Sequence, residues 1–153
     1  MNRITSLGIA GLTAVIASNL YAQALPSTDI WLAAIENGVP GDPVKISEGA
    51  GYNNQPHFST DGSIIYYTRE MHDKVAATQT DIAAFDKETS VTTMLTNTAE
   101  SEYSPTPIPG RHALSVIQVE PDQRQRLWSI DLQGSKMDVL FTAGTGLTFI
   151  GAG

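Results

Sequence analysis

Two short segments recur in this sequence in the same order and with similar spacing. The segment D-I-W-L-A-A-I begins at Asp29 and is matched by D-I-A-A-F-D-K at Asp81 and by R-L-W-S-I-D-L at Arg126, at offsets of 52 and then 45 residues. A second segment contains Pro56 and recurs around Pro105, at an offset of 49 residues. Because the two segments interleave at one period of about 45–50 residues, the sequence predicts a chain built of repeated structural units.

The stretches between the turn residues are of β type. After residue 25, no window of eleven or more residues carries apolar positions at helical spacing without a Gly or Pro interruption. Short apolar, β-branched and aromatic runs bounded by turn residues predict strands instead. The predicted strands are Asp29–Ile35, Val44–Ser47, Ser63–Thr68, Ile82–Asp86, Val91–Leu95, Ala113–Val119, Arg126–Leu132 and Met137–Phe141. Strands without helices between them indicate an all-β, antiparallel architecture.

The repeat length favours one all-β architecture. The four-stranded blades of β-propellers repeat every 40–50 residues or so. The first copy begins at what corresponds to the third strand of a blade, and the chain length allows about three blades, whereas closed propellers have about 4–8. We therefore predict antiparallel four-stranded blades of a β-propeller with an incomplete ring, and a small open β-sheet or sandwich as the alternative. Open blade edges would invite self-association.

One stretch resembles a known family. The run Q-P-H-F-S-T-D-G-S-I-I-Y-Y-T, followed by T-D-I-A-A-F-D, is similar to a TolB-type β-propeller repeat. In that repeat a Pro-x-aromatic-Ser-Pro-Asp-Gly turn precedes an apolar strand, and the next strand begins near Asp-Ile or Asp-Leu. Thr60 stands where the family usually has proline, and in the next copy Gly110 and Arg111 stand at the turn Asp and Gly positions. The resemblance covers roughly residues 29–141 and implies the propeller fold, while its motifs say almost nothing about function.

The motif residues are predicted to be structural. Asp61 is expected to hydrogen-bond the backbone of its own turn, with Gly62 at a positive-φ position. The blade-turn residues are Pro56, Asp61, Gly62, Pro105 and Gly110. The aromatic residues expected to pack blade against blade are Trp31, Phe58, Tyr66 and Trp128. Because Tyr66 and Tyr67 point to opposite faces of one strand, only one of them is expected in the core.

The first 24 residues have the pattern of a secretory signal peptide. Arg3 precedes a stretch without charge, and Ala22-Gln23-Ala24 supplies small residues at an A-x-A cleavage site. A transmembrane anchor needs about 20 strongly apolar residues, and Ser, Thr, Asn and Gly dilute this stretch. We therefore predict a signal peptide over 1–24, a partial propeller domain over 25–153 and a periplasmic or secreted location. Because the chain has no cysteine and no other stretch long and apolar enough to span a bilayer, neither a lipid anchor nor another membrane anchor is expected after cleavage.

Composition and motifs argue against several functions. A net charge of −7 argues against a nucleic-acid partner, because phosphate binding needs clustered Lys and Arg. The lack of cysteine excludes disulfides, thiolate metal sites and Cys nucleophiles. The sequence contains no G-x-S-x-G elbow, phosphate-binding loop or Ca²⁺ loop. His57, His72 and His112 lack metal-ligand spacing. We therefore predict no catalytic, cofactor-binding or metal-binding residue, and no cofactor.

The acidic residues allow two interpretations. They cluster in loops and near the predicted third strands, at Asp29, Asp81, Glu100, Glu102, Glu120, Asp122 and Asp131. Paired carboxylates about 5–10 Å apart could serve glycosidic acid/base chemistry. Exposed loop carboxylates that keep an acidic protein soluble are the preferred interpretation.

The predicted function follows from the repeats, the signal peptide and the missing catalytic motifs. It is an exported, non-enzymatic binding module of TolB-like type, which contacts a protein partner in the cell envelope or a small ligand. The alternative is an N-terminal fragment of a propeller-containing hydrolase, either a peptidase or a polysaccharide-active enzyme, that lacks its catalytic domain.

Overall fold

A computed structural model describes residues 25–72 and 79–142 of the chain. The predicted signal peptide lies outside the described residues and stays a prediction. Within the described part the strands are β1 (Trp31–Leu32), β2 (Ile35–Glu36), β3 (Val39–Pro40), β4 (Val44–Lys45), β5 (Asn53–Phe58), β6 (Ile64–Glu70), β7 (Thr80–Asp86), β8 (Val91–Met94), β9 (Ser101–Pro107), β10 (Ala113–Val119), β11 (Gln125–Asp131) and β12 (Lys136–Thr142). No helix occurs in this part of the chain.

The strands form two four-stranded antiparallel sheets and one partial sheet. Strands β5-β6-β7-β8 make one sheet, here called blade I, and β9-β10-β11-β12 make the next, blade II. β1 pairs with β4 to form the leading sheet, and the hairpin β2–β3 lies between these two strands in the chain. The predicted all-β architecture of antiparallel four-stranded blades is confirmed, and the sheets do not close into a ring within the described residues. The number of blades, about three, stays a prediction.

The 49-residue offset between blades I and II corresponds to a repeated backbone geometry. Gln55 and Ser104 lie 49 residues apart and both have positive φ, 55° and 56°. Each sits in the first strand of its blade, where the pairing with the second strand shifts register. Pro56 and Pro105 follow these residues directly; Pro56 is exposed, whereas Pro105 is fully buried. The first strands of the two blades, β5 and β9, are here called the inner strands. Both therefore carry the same β-bulge.

The inner strands β5 and β9 are not among the strands predicted from the sequence. Their sequences, N-N-Q-P-H-F and S-E-Y-S-P-T-P, lack apolar alternation and contain proline. Each pairs along one side only, because it lies at the edge of its sheet. An edge strand tolerates proline because one row of its backbone amides needs no ladder partner. Patterns that detect buried central strands therefore overlook them.

The first predicted strand is also shorter than expected. The run Asp29–Ile35 divides into β1 and the start of β2, which turns back into β3 through Asn37-Gly38. Both turn residues have positive φ, 52° and 79°, as a two-residue hairpin turn of type I′ requires. β1 pairs only with β4, so its other edge has no strand partner among the described residues. The predicted self-association through such edges stays a prediction.

Two apolar clusters fill the spaces between the sheets. One joins the leading sheet to blade I, with Ile30 and Ile46 packed against Tyr67. The other joins blade I to blade II, with Tyr66 packed among side chains that include Leu114. The prediction that only one of Tyr66 and Tyr67 is buried is wrong, since they are 5% and 0% exposed. Both faces of β6 are covered because blade I has a sheet on each side.

The four aromatic residues expected between the blades divide into two groups. Tyr66 is buried between blades I and II, and Trp128 is half-buried against the same cluster. Trp31 and Phe58 are 58% and 53% exposed, so the structure corrects their expected packing role. Phe58 lies near the end of its strand, where the Lys87 ammonium sits 5.6 Å from the centre of its ring. This cation–π contact places Phe58 at the surface of blade I.

Polar side chains join blade I to blade II at the start of β7. The Thr80 hydroxyl donates to the backbone carbonyl of Glu102 in β9, at 2.8 Å. The Thr96 hydroxyl, just after β8, donates to Asp81 Oδ1 at 3.2 Å and accepts from the Ile82 amide at 2.9 Å. The tripeptide Thr80-Asp81-Ile82 thus ties the third strand both to the next blade and to the end of its own blade. We call this arrangement the Thr-Asp-Ile joint.

The same joint links the leading sheet to blade I. The Thr28 hydroxyl donates to the carbonyl of Asn53 in β5, at 2.9 Å. The Ser47 hydroxyl donates to Asp29 Oδ1 at 3.0 Å and accepts from the Ile30 amide at 3.1 Å. The sequence T-D-I occurs at both places, and Ser47 takes the place of a threonine. Repetition of this tripeptide therefore produces repetition of the sheet-to-sheet contact.

Replacing Thr96 by valine tests the joint. The substitution keeps the side-chain shape but leaves the buried Ile82 amide without its hydroxyl acceptor and removes one donor to Asp81. We expect the free energy of unfolding to fall by about 1–3 kcal/mol, measured by urea denaturation. Thr93→Val, at an exposed position of β8, is the matched control and should change stability by less than about 0.5 kcal/mol. Equal losses in the two variants would contradict the assigned role.

Two glycine substitutions test how closely blade II approaches blade I. A Cβ atom at Gly134, in the β11–β12 turn, would lie 1.7 Å from the carbonyl oxygen of Leu95. Gly62 has a similar φ, 73° against 82°, but open space around the same position. Gly62→Ala should therefore cost only about 1–2 kcal/mol of backbone strain.

For Gly134→Ala we expect a loss larger by at least about 2 kcal/mol, since the overlap is with backbone and the blades must separate to relieve it. Thermal or urea unfolding of the two variants measures the difference. Similar losses would show that the turn gives way without disturbing the blade contact.

Candidate functional site

A cleft of about 720 Å³ opens between blades I and II, at the end where the chain passes from one blade to the next. We call it the loop-end cleft. Its walls come from five segments, namely Leu25, the residues before and within β5, Thr80 in β7, the residues leading into and starting β9, and the β10–β11 turn with Val119 before it. The polar and aromatic side chains that line the cleft include Tyr52, Gln55, Glu100, Ser101, Tyr103 and Glu120.

The β10–β11 turn holds one acidic side chain in this cleft. Backbone hydrogen bonds from Glu120 to Arg124 (2.9 Å) and from Gln123 to Glu120 (2.8 Å) close the turn, and Gln123 has a positive φ of 62°. The indole Nε1 of Trp128 donates to Glu120 Oε1 at 2.7 Å. Turn and indole together fix the position of the carboxylate.

The basic residue of β11, Arg126, is paired with a different carboxylate, that of Asp122. Arg126 donates from two guanidinium nitrogens to the two oxygens of Asp122, at 3.0 Å and 2.7 Å. This bidentate contact lowers the pKa of Asp122 to about 2 and raises the pKa of Arg126. Such fork-to-fork pairing also fixes the direction of the guanidinium plane.

Hydrogen bonds from side chains of blade I hold the backbone of the cleft wall that carries Glu100. The Gln79 side-chain amide donates to the carbonyl oxygens of Thr98 and Glu100, at 2.6 Å and 2.9 Å. The Thr98 amide donates to Asp81 Oδ1 at 3.1 Å, and the Thr98 hydroxyl donates to Glu102 Oε1. Buried polar side chains thus set the course of the backbone on this side of the cleft.

Glu102 and Asp81 are themselves buried, at 1% and 0% exposure. This corrects the expectation that these carboxylates lie in exposed loops. Burial raises the pKa of Glu102 to about 7; the neighbouring Asp81 adds to the rise, while hydrogen bonds from Thr98 and Gln118 oppose it. Because neither carboxyl group is exposed, neither can contact a saccharide in the cleft, and the glycosidase interpretation fails for this pair.

The turn motif lies at the opposite end of the blades, beside a second cleft of about 560 Å³. Asp61 Oδ1 accepts hydrogen bonds from the Ser59 hydroxyl (2.6 Å), the Ser63 amide (3.0 Å) and the Ser63 hydroxyl (2.8 Å). These bonds, that from Ser59 first, lower the pKa of Asp61 to about 2. Gly62, which follows, has φ +73°. The carboxylate is thus engaged within its own turn.

The equivalent turn of blade II has a different form. The Arg111 amide donates to the Ile108 carbonyl at 3.1 Å, with Pro109 and Gly110 between them and Gly110 at φ +73°. Proline followed by a positive-φ glycine is the usual composition of a type II turn. The structure brings Asp61 and Gly110 to the walls of this second cleft, while Trp31, Phe58 and Trp128 lie elsewhere.

The histidines and the acidic residues form no metal centre in the part of the chain that the structure describes. His57, His72 and His112 are exposed, and His72 Nε2 lies 2.6 Å from the Ala50 carbonyl oxygen. No group of three potential ligand side chains comes together among the described residues. The same residues contain no helix of the length and apolar character needed to cross a membrane.

The sequence singles out Glu100 and Glu120 among the acidic residues, but it does not predict the other residues that shape the loop-end cleft. Gln55 Oε1 accepts from the Thr68 hydroxyl (2.8 Å) and from the Ser104 amide (3.1 Å), and so bridges the two blades beneath the cleft. A usable signal lies in the repeat itself, because Asn53 and Glu102 both stand three residues before the repeated proline. That equivalence would have placed Glu102 at a blade joint and not in a loop.

The pKa of Glu102 predicts how stability depends on pH. A folded-state pKa of about 7, above the ordinary value of 4.5, means that folding favours the protonated carboxyl group. This stabilisation is complete below about pH 4.5 and is lost as the pH rises through about 7. We expect a decrease on the order of 1–3 kcal/mol across this range, measured by urea unfolding.

Glu102→Gln should reduce this pH dependence, because an amide can accept from Thr98 and Gln118 and donate to Asp81 at every pH. Glu88→Gln, in the exposed β7–β8 turn, serves as the control and should keep the wild-type profile. Parallel pH profiles for wild type and Glu102→Gln would be inconsistent with a raised pKa.

Comparison with known proteins supports the fold. No family model matches the sequence, and no curated protein matches it. A solved structure of a protein provisionally named TolB from Agrobacterium tumefaciens is similar, with a TM-score of 0.57 and 20% sequence identity. The match covers 79% of this chain and 51% of that one, so the chain spans about half the length of the known structure. The likeness shows that the chain has a TolB-like β-propeller fold.

Proposed function

We propose that this chain is an exported, non-enzymatic binding module of TolB-like propeller type, which contacts a protein partner in the cell envelope through the loop-end cleft. The observation that carries the proposal is the cleft itself. Its volume of about 720 Å³ falls within the range of about 300–1,000 Å³ typical of ligand sites. It is the larger of the two clefts described above.

The composition and rigidity of the walls favour binding. Tyr52 and Tyr103 contribute aromatic surface, and tyrosine is enriched at the centres of protein interfaces. Gln79 and Trp128 fix the two walls through hydrogen bonds to the backbone at Glu100 and to the Glu120 side chain. A site held in place before the partner arrives loses less conformational entropy on binding.

The location of the perturbed carboxyl group supports a role other than catalysis. Active sites place groups with shifted pKa values where the substrate can reach them. Glu102, whose pKa is raised to about 7, is buried between the blades and accepts a hydrogen bond from Thr98, which precedes the lining residue Ala99. Its environment thus serves the shape of the cleft. The signal-peptide pattern of residues 1–24 supports export to the periplasm or beyond.

Filling the cleft tests the proposal. Ala99 lines the loop-end cleft and is exposed, so Ala99→Trp should occupy the cleft without breaking a side-chain hydrogen bond. Thr60→Trp places the same side chain at the cleft on the opposite end and is the matched control. The purified chains would be used to capture partners from a cell-envelope extract of the source organism, with quantitative mass spectrometry as the readout.

We expect one envelope protein to be enriched at least about tenfold by the wild type and by Thr60→Trp, and not by Ala99→Trp. Capture at background level by the wild type would overturn the binding role. Equal capture by Ala99→Trp would move the interface away from the loop-end cleft.

A further inference from the structure

Among the described residues, the charged side chains that line the loop-end cleft are both carboxylates. Glu100 and Glu120 line it from opposite blade loops, and both are half-buried. No Lys, Arg or His side chain lines the cleft among the described residues. A carboxylate held partly away from water attracts a cation more strongly than an exposed one, because the local dielectric constant is lower.

The surrounding residues keep one of these carboxylates in place. The Trp128 indole donates to one oxygen of Glu120, which fixes the group without neutralising its charge. Arg126 lies on β11 near Trp128, and it is paired with Asp122 by two hydrogen bonds. Arg126 also attracts Glu120 electrostatically, but its guanidinium is hydrogen-bonded to Asp122 and does not line the cleft. Glu120 therefore has no basic partner among the described residues that line the cleft.

The aromatic lining suits the same class of ligand. Tyr52 and Tyr103 line the cleft beside these carboxylates, and the π face of a tyrosine ring attracts a cation within about 6 Å of its centre. The guanidinium group of arginine is planar, can stack on such rings, and pairs bidentately with carboxylates. The volume of about 720 Å³ leaves room for the residues on either side of an inserted side chain.

We propose that the loop-end cleft recognises an arginine side chain, which an extended segment of the partner protein inserts between Glu100 and Glu120. This inference rests on the proposed function and names the chemistry of its partner. The Glu100 and Glu120 carboxylates bind the guanidinium group, and the two tyrosines contact its face and its alkyl chain. The partner segment is basic, which complements the net charge of −7 of this chain.

Blocked tripeptides provide the probe. The affinity of the wild-type chain for acetyl-Gly-Arg-Gly-amide is measured by calorimetry and compared with that for the citrulline analogue, which has nearly the same shape but no charge. We expect the arginine peptide to bind at least about tenfold more tightly. Agmatine, a small guanidinium compound without a peptide backbone, should bind more weakly than the arginine peptide.

Matched variants locate the recognition. Glu100→Gln and Glu120→Gln should each weaken binding of the arginine peptide by about 3–10-fold, with little change in the affinity for the citrulline peptide. Glu88→Gln removes the same charge from an exposed turn outside the cleft and should leave both affinities unchanged. Circular dichroism and thermal unfolding confirm that each variant is folded before binding is measured.

Several outcomes would overturn the inference. Equal affinities for the arginine and citrulline peptides would show that charge is not recognised. An equal loss in Glu88→Gln would assign the attraction to the overall field of the protein. Agmatine binding as tight as the peptide would indicate a small-molecule site. Partner capture that Ala99→Trp abolishes but Glu100→Gln and Glu120→Gln leave intact would retain the proposed function and reject arginine recognition.

Discussion

Among the described residues, a threonine hydroxyl hydrogen-bonded to a backbone carbonyl joins each sheet of this protein to the next. In the Thr-Asp-Ile joint, one threonine donates to the inner strand of the following blade, while the aspartate and the isoleucine amide bind a hydroxyl at the end of their own blade. The apolar clusters on either side of β6 have no direction of their own, since hydrophobic contact is roughly proportional to area. The hydrogen bonds of the joint fix how one sheet is aligned on the next, which the apolar clusters do not. This is because a hydrogen bond requires a narrow range of distance and angle.

The joint between blades I and II also shapes the loop-end cleft. Asp81 belongs to the joint and accepts from Thr98, whose hydroxyl donates to Glu102 and whose carbonyl accepts from Gln79. The wall of the cleft is therefore an extension of the blade contact. At the equivalent place between the leading sheet and blade I, Asn53 takes the position of Glu102 and donates from its amide to Thr28. One joint is closed by a neutral amide and the other by an acid whose pKa is raised to about 7. In the first joint the titratable group is Asp29, whose pKa is lowered by hydrogen bonds from Lys45 and Ser47.

Whether a strand or a cleft can be predicted from the sequence depends on the interactions that hold it in place. Strand β10 is predicted with its observed bounds, and β6 nearly so, because both are central strands of their sheets and rich in apolar residues. The inner strands β5 and β9 escape prediction because polar bonds to the neighbouring blade, such as that from Ser104 to Gln55, hold them in place. The loop-end cleft escapes prediction for another reason: its lining residues are spread over the sequence from Leu25 to Gln123 and meet only when the blades stack.

The Thr-Asp-Ile joint makes the contact between successive sheets asymmetric. Blade I presents a donor surface at its third strand and an acceptor surface at its inner strand, and these are different patches of the molecule. Such an interface is heterologous, and a constant rotation between neighbours generates a ring when it closes and a helical array when it does not. The rotation per blade is therefore what separates a closed propeller from an open superhelix, and the threonine bond of the joint is one of the contacts that set it.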